Sequence, residues 1–171
     1  MSNLIGKTLL NRYSVTEFLG RGGMAEVYKV WDSERAVHLA MKVLHADLAE
    51  DKVFLRRFKR EANNLAKLQH PHIVRFYGLE RDGLLVFMLM DYVAGESLKT
   101  RIFSKDAPLT PAETKGIIKP VASALHYAHN SGLVHCDIKP ANIMLDPSDN
   151  VRLADFGIAR MSDAATATMV G

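Results

Sequence analysis

The side chains best suited to chemistry lie close together in the second half of the chain. Asp137 and Asn142 share one short polar stretch, and Asp155 follows them. The apolar segments 143–145 and 151–153 are typical of two short strands joined by a turn. If Leu145 pairs with Val151 across this turn, Asn142 faces Ala154 and therefore comes to lie beside Asp155. An amide oxygen and a carboxylate are hard ligands, which suit magnesium better than zinc.

A second pair of candidates is a lysine in a strand and a glutamate in a helix. Segment 39–44 is a short apolar strand, in which Lys42 points to the same side as Ala40. Helix 51–69 has an apolar stripe that is interrupted only by Glu61. Because an unpaired carboxylate in such a stripe is costly, we predict an ion pair between Lys42 and Glu61 that holds the ammonium toward a phosphate. An ordinary salt bridge at the edge of the core would explain the same pattern.

The third candidate is a glycine-rich segment at Gly20, Gly22 and Gly23. Its backbone N–H groups have little steric cover, which a polyphosphate requires. A dinucleotide-binding loop of similar spacing would have to open a helix. In segment 26–31, polar and apolar residues instead alternate with the period of two that is typical of a strand. We therefore predict that the glycines link two strands. By themselves they fit a plain hairpin turn equally well.

The remaining pattern divides the chain into a strand-rich first part and a helical second part. The predicted elements are strands at 13–19, 26–31, 39–44, 73–78 and 84–90 and helices at 51–69, 97–103 and 110–131. Thr110, Pro111 and Glu113 form a capping-box signature at the start of the last helix. A connector near 90–95 joins the two parts.

Composition excludes several classes of protein. The chain has 171 residues, a hydrophobic fraction of 48% and a net charge of +3. The longest apolar run, 84–90, is too short to cross a bilayer, and residues 1–10 do not read as a signal peptide. The basic residues in segment 52–60 are expected to form a solvated helix face and not a nucleic-acid site. The lone Cys136 excludes an internal disulfide and suits a reducing cytoplasm.

Taken in order, these motifs resemble those of the eukaryotic-like (Hanks-type) serine/threonine protein kinases of bacterial type, from about Tyr13 to Gly171. The resemblance implies an α+β, two-lobe kinase fold. Residues 1–94 would form an ATP-binding N-lobe with an antiparallel sheet and one helix, together with the hinge. Residues 95–171 would form the first part of a helical C-lobe.

The resemblance also implies binding sites for ATP and magnesium. Met90 would be the gatekeeper, the backbone of Asp91 and Val93 would bond adenine, and Asn142 with Asp155 would hold Mg²⁺. The full set implied for ATP is Leu19, Gly20, Gly22, Gly23, Ala25, Val27, Ala40, Lys42, Met90, Asp91, Val93 and Met144.

The implied reaction is transfer of the γ-phosphoryl group of ATP to serine or threonine in protein substrates. Asp137 would position the hydroxyl and accept its proton, and Lys139 would steady the γ-phosphate. Lys42, held by Glu61, would contact the α- and β-phosphates. The alternatives are a pseudokinase or scaffold, or an inactive kinase fragment. A pseudokinase is expected to lack one of these catalytic or metal-binding residues, and this chain retains them.

Two features depart from the family pattern. Cys136 replaces the arginine that usually pairs with a phosphate on the activation segment, so we expect activity independent of that phosphorylation. Its side chain is expected to be semi-buried. Thr166 and Thr168 are possible phosphosites. The chain ends within the activation segment, and residues 1–171 alone are therefore expected to be poorly stable or inactive. The kinase domain is expected to be cytoplasmic, with any membrane anchor in other segments.

Overall fold

The computed structural model describes residues 4–156, which fall into two compact units. Among the described residues, unit 1 comprises 4–66 and Phe76–Tyr92, and unit 2 comprises Lys67–Arg75 and 93–156. Within the described residues, no helix is both long and apolar enough to span a membrane.

Unit 1 is built on a six-stranded antiparallel sheet with strand order β1-β2-β3-β4-β6-β5. Its elements are β1 (Thr8–Leu9), β2 (Tyr13–Arg21), β3 (Ala25–Asp32), β4 (Val37–Leu44), α1 (Ala46–Glu50), α2 (Lys52–Leu65), β5 (Phe76–Asp82) and β6 (Leu85–Asp91). Alternating residues of β2, β3, β4 and β6 are buried on one face, where Tyr13 meets Phe87 edge-on at 6.1 Å between ring centroids. The opposite face of the sheet is also partly covered, since Ala40 and Met88 on that face are buried.

Helix α2 begins at an aspartate cap and packs against β5. The side chain of Asp51 accepts hydrogen bonds from the backbone N–H groups of Val53 and Phe54 at 2.8 and 3.0 Å. The helix ends at Leu65, earlier than predicted, because residues 67–75 join unit 2. The basic residues of this helix are exposed, as predicted. Helix α1, which precedes it, was not predicted.

A buried carboxylate closes the turn between β3 and β4. Asp32 is fully buried and receives a bidentate contact from Arg12 at 2.7 and 2.8 Å. Arg35 donates to the same carboxylate at 2.7 Å, and the backbone N–H groups of Glu34 and Arg35 also donate to it. A buried charge with this many donors is satisfied, and it ties Arg12, just before β2, to the β3–β4 turn.

Up to residue 156, unit 2 contains a small three-stranded sheet and two α-helices. Its elements are β7 (Glu96–Ser97), α3 (Leu98–Ser104), α4 (Pro111–Asn130), a 3₁₀ turn (Pro140–Asn142), β8 (Ile143–Leu145) and β9 (Val151–Leu153). The predicted pairing of Leu145 with Val151 is confirmed. So is the capping box at the start of α4, where Lys105 and Thr110 lower the pKa of Glu113 to about 2 through hydrogen bonds.

Gly95 is required where the chain enters this sheet. A Cβ atom at this position would lie 1.9 Å from the carbonyl oxygen of Leu145. No side chain fits at that distance, so the approach of the β7 segment to β8 depends on glycine.

Segment 67–75 is attached to unit 2 by backbone bonds and by an imidazole. Val74 N–H donates to the Leu153 carbonyl, and Leu153 N–H donates to the His72 carbonyl. His70 Nδ1 accepts from His72 N–H at 3.1 Å, so its Nε2 carries the proton that faces Ser123 Oγ at 3.2 Å. Tyr127 stacks on the same ring at 5.2 Å between centroids. This arrangement requires a neutral His70.

Acidification is therefore expected to weaken this attachment. Burial, followed by the neighbouring His72, lowers the pKa of His70 from its ordinary value near 6.5. The unfolded chain then binds more protons than the folded chain, so the free energy of unfolding falls as the pH drops below about 6.5. We expect His70→Gln to reduce the proton uptake on unfolding by a fraction of one proton between pH 7 and pH 5.5. Urea unfolding at several pH values measures this, and the exposed His129→Gln serves as control. If the free energy of unfolding changed equally with pH in both variants, the prediction would be contradicted.

Candidate functional site

Unit 1 collects the predicted nucleotide residues on the sheet face opposite its core. Strand register places Lys42 opposite Val27 on β3 and opposite Met88 on β6. Ala40, two residues before Lys42, lies opposite Met90. Residues directly opposite in an antiparallel pair, and residues two apart in one strand, share a face. The sheet therefore brings Val27, Ala40, Lys42 and Met90 together although they are far apart in the chain.

The glycine-rich segment forms the tip of the β2–β3 hairpin, so it links two strands as predicted. Gly22 N–H donates to the Ala25 carbonyl at 2.8 Å, and Ala25 itself is buried. Gly22 and Gly23 are exposed, Gly20 is half-buried opposite Val27, and Leu19 lies at a register shift between Phe18 and Gly20 with 39% of its surface exposed. The tip presents backbone with little side-chain cover.

Polar contacts stabilise the strand residues on either side of this hairpin tip. Glu26 bonds Arg21 across the strands and accepts a hydrogen bond from the Tyr28 hydroxyl at 2.7 Å. These bonds lower the pKa of Glu26, and burial together with Glu26 raises the pKa of Tyr28 to about 12. Outside the strands, His45 N–H donates to the Met24 carbonyl at 2.9 Å. The backbone of the tip is thus held from both sides.

The structure corrects the burial that we predicted for Glu61. The buried line of α2 consists of Phe54, Phe58, Ala62 and Leu65, because the helical period places Ala62 and not Glu61 in the apolar stripe. The Glu61 side chain is 38% exposed, and its ion-pair partner within residues 4–156 is Arg60 at 3.4 Å. The catalytic pairing of Lys42 with Glu61 stays a prediction for another conformation of α2.

The end of β6 carries the predicted adenine-binding backbone, and side chains from other strands hold it. The Tyr77 hydroxyl on β5 donates to Asp91 Oδ1 at 2.7 Å. The ammonium of Lys29 on β3 lies 4.6 Å from the centre of the Tyr92 ring. Val93 is the next residue and is half-buried. Sequence reasoning missed Tyr77 and Lys29, because their contacts depend on strand order and not on spacing along one strand.

In unit 2, the buried imidazole of His135 organises the backbone around Asp137. His135 is 1% exposed, and its Nε2 donates to the Ala154 carbonyl at 2.8 Å. Its Nδ1 accepts from the Asp137 N–H at 3.2 Å, and its ring packs on Phe156 with 4.4 Å between centroids. Burial lowers the pKa of His135, which is consistent with this neutral tautomer. The imidazole thus links the backbone of Asp137 to the segment that carries Asp155.

Two side chains fix the carboxylate of Asp137. Lys139 Nζ lies 2.7 Å from Asp137 Oδ2, and Asn142 Nδ2 donates to the same oxygen at 2.9 Å. Asn142 Nδ2 also donates to the Asp137 carbonyl at 2.8 Å. The bond to Lys139, more than that to Asn142, lowers the pKa of Asp137 against the opposing effect of burial. Asp137 is therefore ionised at neutral pH, which suits an acceptor for a hydroxyl hydrogen.

The residues predicted to bind a metal offer hard oxygen donors. Both N–H donations of the Asn142 amide go to Asp137, so Oδ1 is the atom that can serve a cation. Ala154 N–H donates to the Asn142 carbonyl at 2.8 Å, as the predicted hairpin requires, and Asp155 follows with a left-handed backbone at φ 58°. No group of three or more histidine, cysteine or acidic side chains within residues 4–156 could hold a metal. An amide and one carboxylate fit a divalent cation that also binds phosphate oxygens.

The other predicted positions have different outcomes. Met144 is half-buried between the buried Ile143 and Leu145 of β8. Cys136 is exposed, which corrects the expected semi-buried side chain; its backbone is left-handed at φ 63°, and this turns its side chain away from the core. Thr166 and Thr168 lie outside the described residues.

Comparison with known proteins identifies the class to which this fold and these residues belong. The chain matches the protein kinase domain over residues 13–171. It is 41% identical over 165 residues to the serine/threonine-protein kinase PrkC of Bacillus subtilis, covering 96% of this chain and 25% of PrkC. It is 42% identical over 156 residues to PknB of Mycobacterium tuberculosis, covering 89% of this chain and 25% of PknB.

A solved structure confirms the predicted α+β kinase fold. The kinase domain of Mycobacterium tuberculosis PknI matches with a TM-score of 0.79 and 38% sequence identity, covering 92% of this chain and 64% of that domain. The chain belongs to the protein kinase family, and its similarity to bacterial serine/threonine kinases is confirmed. It spans about a quarter of the length of the two curated relatives.

Proposed function

We propose that this chain is the ATP-binding and catalytic part of a protein serine/threonine kinase that uses magnesium. The observation that carries the proposal is the Asp137 carboxylate, which Lys139 and Asn142 hold in an ionised form. Relatives named serine/threonine-protein kinases support protein hydroxyls as the acceptor class.

The proposed reaction gives each group in unit 2 a defined task. Asp137 orients a serine or threonine hydroxyl and receives its proton as the hydroxyl oxygen bonds the γ-phosphorus of ATP. The bond from that phosphorus to the β,γ-bridging oxygen breaks in the same step, and ADP leaves. Because its pKa is low, Asp137 serves more to position the hydroxyl than to deprotonate it early, as a loose phosphoryl-transfer transition state allows. Lys139 lies beside it and neutralises charge on the transferred phosphoryl group. Asn142 Oδ1 and Asp155 would hold Mg²⁺, which supplies positive charge to the phosphates.

In unit 1, the sheet face and the hairpin tip would bind the nucleotide. Val27 and Ala40 would cover adenine, together with Leu19, and the backbone of Asp91 would bond its edge. Lys42 would contact the α- and β-phosphates, and the exposed N–H groups at Gly22 and Gly23 would lie over them. Each role follows the position of the residue on the sheet face or at the hairpin tip.

Magnesium-dependent ATP binding tests this proposal on the chain itself. We expect Asp155→Asn to weaken ATP binding in magnesium at least tenfold, because the variant loses the only carboxylate of the proposed metal pair. Asparagine tolerates the left-handed backbone at this position, so the fold should survive. Isothermal titration with and without magnesium measures the effect.

The exposed Asp106→Asn is the matched control and should bind ATP like the wild type. A folded wild-type chain that does not bind ATP would refute the proposed nucleotide site. Equal affinity of wild type and Asp155→Asn would refute only the assignment of the metal pair. The scaffold alternative is not favoured by any described contact, because Asp137 is held in an ionised form.

A further inference from the structure

We propose that Tyr77 is a positioning residue for nucleotide binding, which acts through the side chain of Asp91. This inference rests on the proposed function, because it concerns the backbone that would bond adenine. The Tyr77 hydroxyl donates to Asp91 Oδ1 at 2.7 Å. A bond from a hydroxyl to a carboxylate is of the stronger, charge-assisted kind.

A β-bulge aims Tyr77 at Asp91. Phe76 pairs with Met90 and Gly78 pairs with Leu89, so β5 has one more residue than β6 across this step. Tyr77 is that extra residue. A bulge redirects a side chain away from the regular alternation of its strand, and it recurs beside binding sites. Here the bulge allows the Tyr77 side chain to reach Asp91, the last residue of β6, which lies one residue past Met90, the partner of Phe76.

The ring of Tyr77 is itself held in place. The guanidinium of Arg35 lies 5.0 Å from the centre of the ring. Arg35 is anchored by its 2.7 Å bond to the fully buried Asp32, which Arg12 also contacts. A side chain fixed in this way loses little further freedom when it bonds Asp91, so the bond can restrain the strand end effectively.

The neighbouring residue is restrained independently from the other side of the sheet. Lys29 Nζ lies over the Tyr92 ring and 3.9 Å from the Glu17 carboxylate. Side chains of β3 and β5 thus hold Asp91, the last residue of β6, and Tyr92, which follows it. Restraint of this kind presents the Asp91 carbonyl in one orientation before the ligand arrives, which raises affinity by preorganisation.

A purely structural role for Tyr77 makes a different prediction from a positioning role. Loss of stability would weaken the binding of every ligand that needs the folded chain. Loss of positioning would weaken only ligands that contain adenine. We therefore compare ATP, adenosine and inorganic tripolyphosphate, each titrated in magnesium into the full chain.

We expect Tyr77→Phe to raise the Kd of ATP and of adenosine by about three- to tenfold, the range of one typical hydrogen bond. The Kd of tripolyphosphate should change less than twofold. Asp91→Ala removes the same bond from its other end and should give the same pattern, so the test does not depend on one variant folding. Asp91→Asn retains an acceptor oxygen and should restore adenosine binding to within twofold of the wild type.

Tyr127→Phe is the matched control. It removes a tyrosine hydroxyl that accepts a bond from Gln69 N–H at 3.2 Å in unit 2, and it should bind all three ligands normally. Wild-type affinity of Tyr77→Phe for adenosine, or an equal loss for tripolyphosphate, would overturn the inference. Failure of the wild-type chain to bind ATP would overturn the proposed function and this inference with it.

Discussion

Asp137→Asn is expected to lower the rate of phosphoryl transfer from ATP to a serine- or threonine-containing peptide by about 10²- to 10⁴-fold. The variant keeps the size of the side chain but removes the negative charge that Lys139 and Asn142 hold. The neutral amide can no longer take up the hydroxyl proton, and it accepts a weaker hydrogen bond from the substrate hydroxyl than the carboxylate does. Steady-state transfer of labelled phosphate in the full-length protein measures the loss.

The same variant should leave nucleotide affinity within about twofold, because Asp137 is not among the residues proposed to hold ATP or the metal. This split between transfer and binding distinguishes a catalytic residue from a structural one. The exposed Asp106→Asn, which lacks these contacts, should transfer phosphate normally. A transfer rate in Asp137→Asn close to that of the wild type would refute the role assigned to this carboxylate.

Asp32→Ala is expected to cost unit 1 about 3 kcal/mol of its free energy of unfolding, the lower end of the range for breaking a buried ion pair. The substitution removes the acceptor of Arg12, Arg35 and two backbone N–H groups at once. The cost stays at the lower end because Arg12 and Arg35 are 19% and 40% exposed and can be hydrated. Urea unfolding followed by tryptophan fluorescence reports on this unit, since the single tryptophan is the adjacent Trp31.

Glu34→Ala is the matched control for that experiment. Glu34 also contacts Arg12, at 2.5 Å, but its side chain is 67% exposed. Exposed ion pairs contribute less than about 1 kcal/mol, so this variant should unfold near the wild-type midpoint. Similar losses for the two variants would show that burial of Asp32 does not set its contribution.

Local patterns predicted much of the fold correctly. The capping box at Thr110 and the pairing of Leu145 with Val151 depend on residues a few positions apart, and both are confirmed. The glycine hairpin was predicted because a period of two identifies a strand on its C-terminal side. Such features depend on the backbone geometry of a few consecutive residues. The order of polar and apolar residues along the chain therefore predicts them directly.

The same reasoning failed where two neighbouring residues could each have occupied a buried position. Ala62 and Glu61 both lie near the apolar stripe of α2, and only packing against the sheet decided that Ala62 is buried. The burial of Cys136 was misjudged for a related reason, since a left-handed backbone at one residue redirects its side chain. Residue type and spacing do not specify these orientations.

By itself, the sequence identified the residues that we propose for phosphoryl transfer. The motifs that carry Lys42, Asp137, Asn142 and Asp155 are recognised from residue type, spacing and order, whatever the tertiary contacts are. Only the tertiary structure decided which groups hold them. The hydrogen bond from Asn142 to Asp137 joins a 3₁₀ turn to a loop, and the Tyr77–Asp91 bond joins β5 to β6 at a bulge. Contacts of this kind depend on the register and order of separate elements, which arise when distant segments bury their apolar faces together.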